Sequence, residues 1–200
     1  MSETVAHIVD DDAAIRDSLS WLMRSRGVTA RAWESGEAFL AGLSESTRGC
    51  IVLDVRMDGM SGIEVHDQLL ALGCRMPVIF LTGHGDVPLA VSALKKGAFD
   101  FVEKPFNDNL LVNRVIEAIR WEEALHQELA AEAGIAARLA KLTPREREVM
   151  DRILAGDFNK MIADSLEIAI RTVEVHRSRV FEKMEVRSAV ELAQLLRHRR

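Results

Sequence analysis

Five residues within the first 104 positions of a 200-residue chain have types that together can do phosphoryl chemistry: Asp10, Asp11, Asp54, Thr82 and Lys104. Each stands where a short apolar run stops. Asp10 and Asp11 end HIVDD, Asp54 ends IVLD, Thr82 ends VIFLT and Lys104 follows FVE. In a parallel sheet, ligands bind beyond the carboxyl ends of the strands, so residues at those ends can share one crevice. Three carboxylates gathered there repel one another unless cations offset them. One Mg²⁺ and Lys104 supply the matching positive charge, and magnesium suits such a place because it takes oxygen ligands and keeps waters that a phosphate oxygen can replace. A carboxylate flanked by metal and ammonium can attack a phosphoryl group and hold it as an acyl phosphate. The Thr82 hydroxyl and backbone N–H groups around Gly83 can then donate to its oxygens. Taken singly, these residues have plainer readings. Asp12 reads as the N-cap of AAIRDSL, Thr82 as a strand residue and Lys104 as a solvated charge. Their shared placement at one end of four strands favours the crevice.

The elements that would place them are legible as strand–helix repeats. Val5–Val9 precedes an amphipathic segment, Ala13–Arg26, in which Ile15, Leu19, Leu22 and Met23 share a face. A weaker strand near Thr29–Trp33 leads to a short helix with Phe39 and Leu40. Ile51–Val55 leads to a glycine-rich loop and a helix with Ile63, Leu69 and Leu70. Val78–Leu81 precedes Val87–Lys96, and Phe99–Val102 precedes a helix through Val112, Val115 and Ile119. Such alternation predicts an α/β domain with right-handed crossovers and a parallel sheet covered on both faces.

Near Trp121 the pattern turns charged and alanine-rich, a helical spacer in which Gly134 is the expected break. Then LTPREREVM carries a helix start, with Thr143 as N-cap, Pro144 in the first turn and Glu146 three residues past the cap. That helix should run to about Ala155 and stop at Gly156. Further helices are expected near Lys160–Leu166, Arg171–Met184 and Ser188–Leu196, with no strand, giving an all-helical tail. We therefore expect domains at 1–120 and 142–200 with a helical linker at 121–141.

Within the tail, NKMIADSL-EIAI-RTVEVHRSRVFEKM has helix-turn-helix spacing. On its second helix Val173, His176, Val180 and Met184 should face inward. Arg171, Glu174, Val175 and Ser178 lie opposite, where a valine can touch a thymine methyl and Glu174 can accept from cytosine. Lys160, Arg171, Arg177, Arg179, Lys183 and Arg187 are candidate phosphate contacts, with Thr172 alongside. The plainer reading is that these charges keep a small bundle solvated. The terminal RHRR can add nonspecific attraction, and Val190, Leu192, Leu195 and Leu196 give the last helix an apolar stripe beyond what the bundle needs.

Taken together, VAHIVDDDAAIRDSL, LDVRMDGMSGIE, PVIFLTGHGDVPLAVSALKKGAFDFVEKPF and the helical tail resemble a FixJ-type response regulator with a LuxR-type output domain, over nearly the whole chain. The resemblance implies a flavodoxin-like (βα)5 receiver with strand order 2-1-3-4-5, phosphorylated on Asp54 by a sensor histidine kinase. It implies magnesium held by Asp11, Asp54 and the Arg56 carbonyl with Asp10 assisting, and Thr82 and Phe101 as a switch pair. It also implies Lys104 on the phosphate, a cis Lys104–Pro105 bond, and homodimerisation through the Val87–Lys96 helix and the fifth strand. The output domain would bind double-stranded DNA as a dimer, with RNA polymerase a further partner. Three positions depart from the family pattern. Asp58 stands where proline is usual, Glu167 where glycine is common in the turn, and Ala169-Ile170 where Ser-Pro commonly begins the recognition helix.

Charge and composition agree with such a division. Through Leu142 there are 14 Lys/Arg against 21 Asp/Glu; beyond it, 12 against 10. An acidic front and a mildly basic tail point to different partners. No stretch approaches the length of a membrane span, the acidic amino terminus is unlike a signal peptide, and Cys50 and Cys74 lack metal or disulfide spacing. A cytoplasmic protein without enzymatic turnover is expected. The rivals are a magnesium-dependent phosphatase or phosphotransferase, disfavoured by Arg56 two residues past Asp54, and a receiver whose tail binds protein or RNA.

Overall fold

The computed structural model describes residues 5–83 and 87–197, which part into two compact units dividing at His126. In the first, strands β1 (Val5–Val9), β2 (Ala30–Trp33), β3 (Gly49–Asp54), β4 (Val78–Thr82) and β5 (Asp100–Glu103) form one sheet. Every pairing is parallel and the order is β2-β1-β3-β4-β5. This is the flavodoxin-like arrangement. Helices α1 (Ala13–Ser25), α2 (Gly36–Ala41), α3 (Gly62–Ala71), α4 (Val87–Lys95) and α5 (Asp108–Ala140) alternate with the strands. The two faces of the sheet carry separate cores. One joins Ile8, Val52 and Leu81 to Leu19 and Met23 of α1 and Leu111 and Val115 of α5. The other joins Leu53 and Phe80 to Phe39, Val65 and Leu69. β3 and β4 are buried along their whole length, as continuous apolar runs in a doubly covered sheet should be.

Two local devices hold the strand ends. Asp12 caps α1 by accepting from the Ala14 N–H at 2.8 Å, the capping role read from the sequence. Gly62 opens α3 directly against β3, where a Cβ would lie 2.1 Å from the Asp54 carbonyl oxygen. Only glycine allows that approach.

Helix α5 is continuous from Asp108 to Ala140. Gly134 does not break it, contrary to the sequence expectation. A mid-helix glycine costs about 1 kcal/mol relative to alanine, and the alanine-rich flanks outweigh that. Glu122 on this helix is buried in a two-pronged ion pair with Arg48, Nη2 to Oε2 at 2.9 Å.

The second unit contains the remainder of α5 with α6 (Pro144–Ala155), α7 (Asn159–Leu166), α8 (Ile170–Met184) and α9 (Ala189–Leu196). Leu142, Val149, Ile153, Ile162, Val173, Val180, Met184 and Leu192 form its core. The start of α6 is as the sequence predicts. Thr143 and Glu146 close a reciprocal capping box, Pro144 sits in the first turn, and Gly156 ends the helix at φ 90°.

Candidate functional site

Register brings the polar strand ends together. Val9 pairs with Leu53 and Leu81 with Asp54, so Asp10, Asp54 and Thr82 stand side by side at one rim. Thr82 pairs with Glu103, which puts Lys104 one step beyond. The Lys104 ammonium donates to Asp54 Oδ1 at 2.7 Å and to Asp10 Oδ2 at 3.1 Å. Asp10 is 1% and Asp54 7% exposed. Asp54 Oδ2 accepts from the Arg56 N–H at 3.0 Å, and Asp10 Oδ1 accepts from the Asp12 N–H at 2.9 Å. The Lys104–Pro105 bond is cis.

Two carboxylates thus share one ammonium, which leaves the cluster with excess negative charge. Burial pushes the Asp54 carboxyl above its ordinary value, outweighing the Lys104 hydrogen bond that lowers it. Burial pulls the Lys104 amine down, but its bonds to Asp54 and Asp10 outweigh this and hold it above the usual lysine value. Lys104 is therefore firmly cationic at neutral pH. The Thr82 hydroxyl is fully buried, and among the described residues its Oγ1 has no hydrogen-bond partner. A buried hydroxyl without a partner is costly, and a phosphoryl oxygen arriving on Asp54 would supply an acceptor.

Asp11 is the residue the structure places differently. It is exposed, and its Oδ2 accepts from the Asp58 N–H at 2.8 Å. Among the described residues no group of three acidic, histidine or cysteine side chains is drawn together tightly enough to hold a metal. Asp10 and Asp54 thus meet on Lys104, while Asp11 is held by the loop after β3. The physical reason is local. Lys104 reaches Asp54 and Asp10, while the Asp58 amide is the donor within reach of Asp11. The oxygen chemistry of Asp10, Asp11, Asp54 and the Arg56 carbonyl still suits Mg²⁺.

Phe101 is half-buried on β5, opposite Phe80, and lines a hollow of about 320 Å³ with Lys104, Pro105, Phe106 and Leu110. Sequence reasoning missed Arg16, whose Nη1 donates to the Asp10 carbonyl at 2.8 Å, and the backbone of Asp58. Neither contact has a signal in spacing. His84 to Asp86, beside the Gly83 backbone, lie outside the described residues.

In the second unit α7 and α8 pack as a helix-turn-helix. Val173, Val180 and Met184 are buried and His176 half-buried, the inward face expected. Arg171, Thr172, Glu174, Val175, Ser178 and Arg179 are exposed on α8, as are Lys160 on α7 and Arg187 after α8. Val175, at 45% exposure, is an apolar side chain among polar ones. Arg177 is half-buried, its guanidinium 5.4 Å from the Phe181 ring centre. Lys183 stands apart from this set. Its ammonium lies 2.6 Å from Oε2 of Glu146, which is 2% exposed. The charge of Lys183 is matched inside the protein, because a buried capping carboxylate needs a cation. Glu167 adopts the left-handed conformation at φ 54°, and Ala169, the N-cap of α8, supplies no side-chain cap. On α9, Val190 is exposed and Leu192 buried. His198 to Arg200 lie outside the described residues.

Comparison with known proteins bears on both units. Residues 6–116 match the response regulator receiver domain, and residues 140–196 match the bacterial regulatory proteins of the luxR family. The chain is 54% identical over 197 residues to the C4-dicarboxylate transport transcriptional regulatory protein DctR of Rhodobacter capsulatus, covering 98% of this chain and 100% of that one. It is 46% identical over 189 residues to the transcriptional regulatory protein FixJ of Bradyrhizobium diazoefficiens, covering 94% and 92% of the two. Among solved structures it resembles the response regulator StyR, at TM-score 0.93 and 36% identity over 98% of this chain and 99% of that one.

Proposed function

Because the chain belongs to the response regulators with a luxR-family DNA-binding domain, we propose that Asp54 is its phosphoacceptor and that phosphorylation there governs how the tail binds DNA. The observation that carries this reading is the Lys104 ammonium bridging Asp54 and Asp10 at the rim that also carries the buried Thr82 hydroxyl, unpartnered among the described residues. Asp54, deprotonated, attacks the phosphorus of a phosphohistidine on a sensor kinase, and the P–N bond breaks as the imidazole leaves. Lys104 holds the incoming phosphoryl oxygens by charge, and the Arg56 N–H keeps the other carboxylate oxygen of Asp54 oriented. Asp10, Asp11, Asp54 and the Arg56 carbonyl are the oxygen groups that would hold Mg²⁺, which when bound would supply further neutralisation of the transferring group.

Phosphorylation adds roughly one negative charge and new acceptor oxygens at the crevice. Thr82 donates to one of them and leaves space that the Phe101 ring can enter. A two-state element of this kind converts local charge into a surface change, here on α4 and β5, where two copies meet. The paired tails then read a two-fold DNA site. Lys160, Arg171, Arg177, Arg179 and Arg187 hold phosphates, while Glu174, Val175, Thr172 and Ser178 face the bases. RNA polymerase is the partner on the promoter. No helix among the described residues is long and apolar enough to cross a membrane, and the place of action is the cytoplasm.

Incubation with acetyl phosphate and magnesium should yield a stable, hydroxylamine-labile adduct on Asp54 and tighten a duplex-DNA footprint. Asp54→Ala should abolish both. An adduct elsewhere, or turnover of the phosphodonor without an adduct, overturns the assignment.

A further inference from the structure

A groove of about 430 Å³ opens at the far end of β4 and β5, away from the strand ends that carry Asp54 and Thr82. Its wall is largely apolar: Leu69, Met76, Ala98, Phe99, Trp121 and Leu125. Phe99 and Trp121 present tilted rings 6.1 Å apart, and Trp121 is 47% exposed. The volume lies within the roughly 300–1,000 Å³ of small-molecule pockets, and apolar lining with a few polar groups is their usual character.

Two polar features say what the groove takes. His66 is 2% exposed and forms part of the wall, yet among the described residues its Nδ1 has no hydrogen-bond partner. Burial holds its imidazole below the ordinary histidine value, so it is neutral at pH 7. Arg75, exposed at the groove, has neither ion pair nor hydrogen bond among the described residues. The neighbouring charges are already matched, Lys96 by Asp67 at 2.7 Å and Glu122 by Arg48. The helix ends beside it are closed by backbone bonds, Cys74 N–H to the Leu69 carbonyl and Ala98 N–H to the Ala93 carbonyl. Among the described residues that line the groove, Arg75 is therefore the uncompensated charge.

We propose that this groove binds a small amphipathic carboxylate, with an aromatic or short aliphatic body against Trp121 and Leu69 and its carboxylate on Arg75. A dianion such as a phosphate monoester suits it less, since a single cation faces it. The site goes beyond the phosphorylation reading and does not depend on it. It would give the receiver an input that reaches α5 at Trp121 without passing through Asp54.

The test uses the full chain labelled with fluorotryptophan, whose three tryptophans are Trp21, Trp33 and Trp121. The Trp121 resonance is assigned with Trp121→Phe, and phenylbutyrate and octanoate serve as probes. Saturable shifting of the Trp121 signal is expected. Arg75→Ala should weaken binding about tenfold or more, the loss of a charge-assisted hydrogen bond, and Arg75→Lys should recover part of it. Asp54→Ala should bind as the parent does, which separates this proposal from the phosphoacceptor assignment. Arg75 is exposed, so a folding defect is not the expected cause of any loss. Equal binding by phenylbutanol, no effect of Arg75→Ala, or no saturable shift overturns the proposal. So does a Trp121 shift produced by raising the protein concentration alone, which would make the groove a contact between copies.

Discussion

Asp58 shows how one backbone atom can tune a charged crevice. Its N–H holds Asp11 Oδ2 at 2.8 Å, a bond that proline, which has no N–H, cannot make. In this chain the carboxylate of Asp11 must give up or share that donor to engage a metal. Asp58→Pro should therefore lower the magnesium concentration needed for half-maximal phosphorylation by acetyl phosphate. One net hydrogen bond of ~0.5–1.5 kcal/mol corresponds to roughly two- to twelve-fold. Asp58→Ala keeps the amide and should leave the magnesium dependence near that of the parent. If both variants move together, the side chain rather than the amide is responsible. Such a contact is invisible to spacing, because it joins residues in different loops. The acids and the lysine themselves were legible, since each ends an apolar run.

At the scale of elements, the Glu146–Lys183 pair joins α6 to α8. Glu146 serves two purposes, accepting from the Thr143 N–H at 2.9 Å and from Lys183 at 2.6 Å. The Lys183 hydrogen bond, outweighing burial, holds the Glu146 carboxyl below its ordinary value of 4.5. A lowered folded pKa means that this contribution is present above the unfolded value and is lost as pH falls through the folded one. Lys183→Met should destabilise the second unit at neutral pH by about 1–3 kcal/mol. That is less than the loss for a fully buried pair, because Lys183 is partly solvated. Calorimetric unfolding should show the difference shrinking as the pH is taken below about 4.5. A constant difference down to acid pH would refute the linkage. The sequence made the capping box plain, since Thr143, Pro144 and Glu146 are neighbours. It made Lys183 look like one more phosphate contact, because a basic residue near a helix end reads the same whether it faces DNA or a buried acid. Gly134 misled for a related reason. Local propensity marks it as a break, and only the summed preference of its alanine-rich surroundings carries α5 through.

For the whole molecule, the acidic first half and the mildly basic tail make DNA affinity a matter of how many tails bind at once. Four cations of the tail, Lys160, Arg171, Arg179 and Arg187, are exposed and, among the described residues, form no ion pair such as that of Lys183. Counting these ~4 exposed phosphate contacts per protomer and leaving aside the half-buried Arg177, log K should fall with log salt at a slope of at least roughly −3.6 for one tail and about −7 for two. Phosphorylation that pairs the receivers should therefore steepen the salt dependence as well as raise the affinity. Asp54→Ala should keep the shallower slope under phosphorylating conditions, and Lys183→Met should leave the slope unchanged where Arg171→Ala reduces it by about one. Titrations at several salt concentrations, with and without acetyl phosphate, decide the matter. Equal slopes in the two states would mean that both tails already engage DNA without phosphate, and the switch would then have to act on orientation rather than on number.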